Sequence, residues 1–302
     1  MKILIAGGTG FIGKALSSFL VGKGYEVNVL TRRKMPDIEN IHYYQWDVEQ
    51  RFIDQHAFDG VNALINMTGV NIGERRWTAV RKNEILSSRL RPLELLLQSI
   101  MEAGRKIDVL ISSSAVGYYG AVTTDQILTE ESKNGMDFPA YVCQLWEGVA
   151  RQFEKVADRV IILRKGVVIG KGGGIYRQLK PLVKLGINIS LGSGRQYLPW
   201  ISIDDLVRIY SRILENREIK GVFNAVADEY ITMNGFSEEM LLSFGKKSFI
   251  PNIPAWIVNI LFGERSEMLL RGSRVSNEKI RNTGFRFQYP SISQCLFTAS
   301  TL

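Results

Sequence analysis

Residues 2–13 read KILIAGGTGFIG, and this stretch decides the fold. Lys2 to Ala6 is a short apolar run of strand length. A run without alternation suits a parallel strand buried on both faces. Gly7, Gly10 and Gly13 follow with G-x-x-G-x-x-G spacing. Beyond them Phe11, Ile12, Ala15, Leu16, Phe19 and Leu20 recur at helical spacing, Gly24 closes the helix, and Tyr25 to Leu30 alternates as a second strand. Glycines between a strand and a helix let backbone approach a pyrophosphate, which the helix N-terminus then holds. The unit predicts a Rossmann-type, doubly wound α/β fold that binds a dinucleotide through Gly7, Thr9, Gly10, Phe11, Ile12 and Gly13.

The end of the second strand distinguishes the two nicotinamide dinucleotides. A carboxylate there would bond the ribose 2′-hydroxyl of NAD. The sequence has Thr31, Arg32 and Arg33 instead. Guanidinium groups match a 2′-phosphate in charge and geometry, so NADP(H) is expected over NAD(H).

Working outward, His42–Trp46, Val61–Asn66, Val109–Ser113 and Val160–Leu163 read as further strands. A helix is expected from Glu84 to Ala103, kinked or broken near Arg91 by Pro92. Ligands sit beyond the carboxyl ends of parallel strands. That places Thr68 and Gly69, the Ser112–Ser114 run and Lys165 beside the cofactor. Asp47 reads equally well as an adenine contact and as a turn residue. A loose boundary falls near residue 170, giving a dinucleotide-binding part at 1–170 and a smaller substrate-side part at 171–302, with late strands near 195–225 returning to the first sheet.

Composition narrows the function. The 302 residues are 45% hydrophobic and 23% charged, with a net charge of +8, which is globular composition. No run reaches the roughly 18 apolar residues of a membrane span. No secretory signal or nucleic-acid module is visible, so a cytoplasmic protein with a small-molecule partner is expected, without membrane or nucleic acid. Two cysteines, Cys143 and Cys295, and two histidines, His42 and His56, give neither a disulfide framework nor a metal cluster.

GERRWTAVRKNEILSSR (73–89), SAVGYYG (114–120), DFPAYVCQLWE (137–147) and LGSGRQYLPWISIDDL (191–206) resemble the extended short-chain dehydrogenase/reductases, and more narrowly the atypical SDR39U1-like epimerase group. The tail from about 249 to 296 resembles the small C-terminal DUF1731 domain of that group. The resemblance implies an NADP(H)-dependent oxidoreductase or epimerase-like enzyme acting on a polar, nucleotide-linked substrate. It also implies a Ser or Thr after the fifth strand and a Tyr-x-x-x-Lys pair on the next helix. Ser114 fits the first, with Ser113 as second candidate. The pair is missing: four residues after Tyr141 stands Leu145, and alignment on the WE end places Pro139 and Cys143 at the two positions. Tyr118 and Tyr119 are the candidate proton-handling replacements, Lys82 and Arg89 candidate sources of the missing positive charge. Arg195 is a candidate clamp for a substrate diphosphate and Trp200 a candidate ring stacker. Glu130 and Asp125 read as sugar contacts or as solvated loop. Without the pair, a second reading stands beside the enzyme: an NADPH-binding regulator or scaffold without turnover.

Overall fold

The computed structural model describes residues 1–301. The chain begins with β1 (Lys2–Ala6), α1 (Phe11–Gly22), β2 (Glu26–Thr31), β3 (Ile41–Asp47), β4 (Phe52–Ile53) and β5 (Val61–Asn66). It continues through α2 (Ala79–Glu102), β6 (Ile107–Ala115), β7 (Ile127–Leu128), α3 (Phe138–Arg151) and β8 (Ala157–Lys165). Then come β9 (Val167–Ile169), α4 (Gly174–Lys184), β10 (Trp200–Ser202), α5 (Ile203–Glu215), β11 (Gly221–Ala225) and α6 (Met233–Leu242). The last elements are α7 (Ala255–Phe262), α8 (Ser266–Leu270), β12 (Arg274–Val275), α9 (Glu278–Asn282) and α10 (Ile292–Thr301).

Eight strands form one sheet in the order β11-β8-β6-β5-β1-β2-β3-β4. Every pairing is parallel except β3 with β4. This is the α/β fold expected. Successive residues of β1 feed opposite faces, as a strand's period of two requires. Ile3 and Ile5 pack with Leu16, Leu20, Ile209 and Ile213 of α1 and α5. Leu4 and Ala6 pack with Leu93, Leu96 and Trp146 of α2 and α3. Full burial of each such Leu or Ile side chain contributes about 1.5–3 kcal/mol.

One expectation is corrected here. Pro92 does not break the helix, for α2 runs from 79 to 102. The helix starts a turn earlier than read, capped by the Thr78 hydroxyl, which accepts from the Arg81 N–H. Its neighbours Leu93, Leu95, Leu96 and Leu97 are buried, and that packing outweighs the hydrogen bond Pro92 cannot make.

β11 joins the main sheet beside β8, whereas β10 pairs with β9 in a separate two-stranded sheet. A third core gathers Ile169, Tyr176, Trp200, Phe236, Met240 and Leu296. The parallel pairing of β12 with β7 lays the chain after α8 across the loop that follows β6. Leu128 and Val275 of this crossing form part of the wall of the second cavity described below.

Candidate active site

Two cavities meet the carboxyl ends of the central strands. The first, of about 540 Å³, is lined by Gly7, Thr9, Gly10, Arg32, Asp47, Thr68 and Gly69 among others. The glycine loop fixes its floor. Gly7 has φ +87°, and a Cβ there would lie 2.9 Å from the Met67 carbonyl carbon. A Cβ on Gly13 would lie 2.3 Å from the Gly7 oxygen. Neither position has room for a side chain, so loop and helix close on each other. Gly10 is the N-cap of α1 and supplies no side-chain cap. First-turn N–H groups of a helix have no intrahelical partner, and those of Phe11, Ile12 and Gly13 are therefore available to an anion. The Phe11 ring instead packs against Gly173, where a Cβ would sit 2.3 Å away. The residues present fit a pyrophosphate. A Gly13→Ala variant is expected to weaken dinucleotide binding sharply and to cost roughly 1–3 kcal/mol of stability through overpacking. Cofactor titration and thermal unfolding of the same sample check both effects.

The Thr31 hydroxyl accepts from the Arg33 N–H at 3.2 Å and turns the chain at the strand end. Arg32 lines the cavity; Arg33 is exposed and does not. The Thr68 hydroxyl donates to Asn66 Oδ1 at 2.8 Å. Asp47 lines the cavity while its Oδ1 accepts the Glu49 and Gln50 N–H groups.

The second cavity, about 270 Å³, opens beyond β6 and β8. Lys165 reaches it from the end of β8, Arg89 from α2 and Cys143 from α3. Lys165 Nζ lies 3.0 Å from Ser113 Oγ, which lies 3.0 Å from the Tyr210 hydroxyl. Burial, with the Arg89 charge adding to it, pushes the Lys165 ammonium down to about 8. Burial also lowers Arg89, to about 10, although its guanidinium donates to the Ile85 and Val70 carbonyls and lies over the Trp146 ring. The Cys143 thiol donates to the Ala115 carbonyl, and burial raises it to about 11, so it stays protonated at neutral pH.

The expected catalytic trio gathers around a different pair of charges. Ser114 points away from Lys165, and its hydroxyl donates to Glu147 Oε1 at 2.8 Å. Arg164 holds both Glu147 oxygens, through Nε at 2.8 Å and an Nη at 2.9 Å. The other Nη donates to the Tyr119 hydroxyl at 3.1 Å, which in turn donates to Asn224 Oδ1 at 2.7 Å. Burial raises Tyr119 to about 12. The Tyr118 ring lies 3.4 Å from the Arg164 guanidinium carbon. Glu147 and Arg164 are only 1% and 2% exposed. Burial opposes the Arg164 charge, yet the Glu147 carboxylate holds its pKa above the ordinary arginine value. Ser114, Tyr118 and Tyr119 thus meet at the Glu147–Arg164 pair, with Tyr119 also lining the cavity. The Glu147–Arg164 pair was missed from sequence; its signal was a lone carboxylate and a lone guanidinium within apolar stretches, LWEGVA and VIILRK.

Other candidates also move. Trp200, 1% exposed, belongs to the third core, whose apolar side chains enclose it. Arg195 is exposed and lines neither cavity. Lys82 pairs with Glu264, tying α2 to the C-terminal part. Glu130 accepts the Asn224 N–H and Asp125 pairs with Arg274. Tyr141 is half exposed on α3.

The model of the NAD dependent epimerase/dehydratase family matches residues 3–225. The chain belongs to that family. A domain of unknown function, DUF1731, matches residues 253–297, the segment that includes α8 and β12. An epimerase family protein of Mycobacterium bovis, Mb2239, is 35% identical over 99% of this chain and 97% of its own. Human epimerase family protein SDR39U1 is 31% identical over 98% of each chain. The crystal structure of its isoform 2 with NADPH covers all of both chains at 32% identity and a TM-score of 0.88. A nucleoside-diphosphate sugar epimerase from Corynebacterium glutamicum is 28% identical, with a TM-score of 0.77, over 98% of this chain and 57% of that one. The Tyr-x-x-x-Lys pair that the resemblance implies is absent from α3, where Leu145 stands four residues after Tyr141.

Proposed function

We propose that this protein is an NADP(H)-dependent oxidoreductase that reduces a carbonyl compound, with Lys165 handling the proton. The observation that carries this reading is the partly buried lysine at the end of β8, held by a serine hydroxyl and opening into a cavity. Bound along the glycine loop, the cofactor would supply the hydride. Arg32 recognises the 2′-phosphate, and the first-turn N–H groups of α1 hold the pyrophosphate. Ser113 orients Lys165, and the Lys165 ammonium gives its proton to the carbonyl oxygen as negative charge develops there. Burial, with the Arg89 charge adding to it, keeps the lysine's pKa low enough for transfer near neutrality.

Net consumption of NADPH separates a reductase from an epimerase, which returns its hydride. Arg32→Ala should weaken NADPH about tenfold, or about 1.4 kcal/mol, and leave NADH binding unchanged. Nicotinamide fluorescence titration reads both constants. Equal losses for the two cofactors would overturn the 2′-phosphate assignment.

The engagement of Ser114 and Tyr119 in a buried network favours a second reading, NADPH binding without turnover. NADPH that binds tightly yet is not consumed in a screen of aldehydes, ketones and oxo acids would move that reading ahead.

A further inference from the structure

The second cavity has a chemistry poorly suited to a sugar. Much of its wall is apolar, including Ile72, Val116, Val142, Trp146, Leu198 and Met268. A sugar presents a hydroxyl on nearly every carbon, and each one buried without a partner costs about 1–3 kcal/mol. Polar groups that line the wall are already engaged. Asp137 accepts the Ala140 and Ala121 N–H groups with its two oxygens. The Tyr119 hydroxyl lies between Arg164 and Asn224, and Cys143 bonds the Ala115 carbonyl.

What remains is positive charge. Lys165, Arg89 and Arg271 all line the cavity, and none of the three makes an ion pair among the described residues. Arg271 is the most telling. It follows α8 in the segment that β12 fixes across the loop after β6, and its side chain is exposed. Its neighbour Arg274 is held by Asp125 and Tyr197, whereas Arg271 has no such partner among the described residues. At about 270 Å³ the cavity falls just below the range of about 300–1,000 Å³ usual for ligand pockets. An apolar, compact, cationic cavity matches an anion with a hydrophobic body.

We infer that the substrate is a small apolar carbonyl compound bearing a carboxylate, with its carbonyl at Lys165 and its carboxylate at Arg271. This rests on the reductase reading above. In the reaction the carbonyl carbon accepts the hydride, the C=O π pair goes to oxygen, and that oxygen takes a proton from the Lys165 ammonium. The product is a hydroxy acid, the dinucleotide leaves oxidised, and neutral Lys165 regains its proton from solvent.

Calorimetric titration of the NADPH-loaded protein tests this without requiring turnover. The probes are phenylpyruvate and 3-benzoylpropionate, their methyl esters, and UDP-glucose. At least one acid is expected to bind tenfold or more tightly than its ester, with UDP-glucose weaker than that acid. Arg271→Gln should erase the gap between acid and ester. Equal binding of acids and esters, tighter binding of UDP-glucose, or a gap that survives Arg271→Gln would each overturn the inference. Titrating NADPH alone keeps the two readings apart. An acid–ester gap in a protein that does not bind NADPH supports this substrate class and removes the cofactor reading. NADPH binding without any gap does the reverse.

Discussion

Lys165→Met is expected to lower turnover by about 10²–10⁴-fold, the usual worth of a positioned general acid. NADPH affinity should change only a few-fold, because the glycine loop and Arg32 lie in the other cavity. A residue that merely braced the fold would show a different signature. Burial and the Arg89 charge already depress the ammonium to about 8, so the folded state binds this proton less readily than the unfolded chain does. Between about pH 8 and the ordinary lysine value near 10.4 the unfolded chain carries more protons at this site, and stability from this group rises with pH. Removing the charge at pH 7 should therefore leave the melting temperature unchanged or higher. The pH profile supplies the second readout. The acid form does the work, so kcat/KM in the reducing direction should fall as pH rises through about 8. Ser113→Ala, which removes the hydroxyl beside Nζ, should lower kcat and move that limb. A Lys165→Met enzyme with normal turnover and an unchanged pH profile would exclude lysine as the acid.

Glu147→Gln should be the most destabilising single change near the site. The carboxylate accepts from Ser114 and from Arg164 through two atoms, in a place almost without solvent. Removing its charge leaves the Arg164 guanidinium buried with only neutral partners. Breaking a buried ion pair from one side costs about 3–5 kcal/mol. At roughly 2–4 °C per kcal/mol for a chain of this size, the melting temperature should drop by about 6–20 °C. Arg164→Met should cost a comparable amount by stranding Glu147. The double variant Glu147→Leu/Arg164→Met should recover much of the loss, because an apolar pair of similar volume carries no desolvation penalty. Losses that simply add in the double variant would show that the pair is not coupled. Tyr119→Phe adds a finer check: it leaves the carboxylate in place, removes one bond to Arg164 and one to Asn224, and should cost less than Glu147→Gln.

The proposed assignment of roles follows from one register detail. Ser113 and Ser114 are adjacent on β6 and face opposite sides of the sheet, Ser113 toward Lys165 and Tyr210, Ser114 toward Glu147. Both faces of this strand are buried. An apolar run buried on both faces shows no alternation, so nothing in the string SSSA marks which serine meets Lys165. Ser114 was the expected site residue for its place in a motif; the pleat sets Ser113 against Lys165, and the proposed role follows from that contact.

The dinucleotide half was legible because it is local. Strand, glycine loop, helix and the Thr31–Arg33 turn lie within 33 consecutive residues, and their spacing alone dictates backbone that no side chain can occupy. The C-terminal resemblance was legible in the same way, from contiguous sequence. The second cavity was not. Its cations come from α2, β8 and the chain after α8, which meet only because parallel strands carry their carboxyl ends to one edge and β12 returns to pair with β7. Sequence determined which backbone could bind a dinucleotide. Tertiary structure alone decided which charged side chains lost their solvent and which found a counter-ion, since desolvation and pairing depend on neighbours distant in the chain.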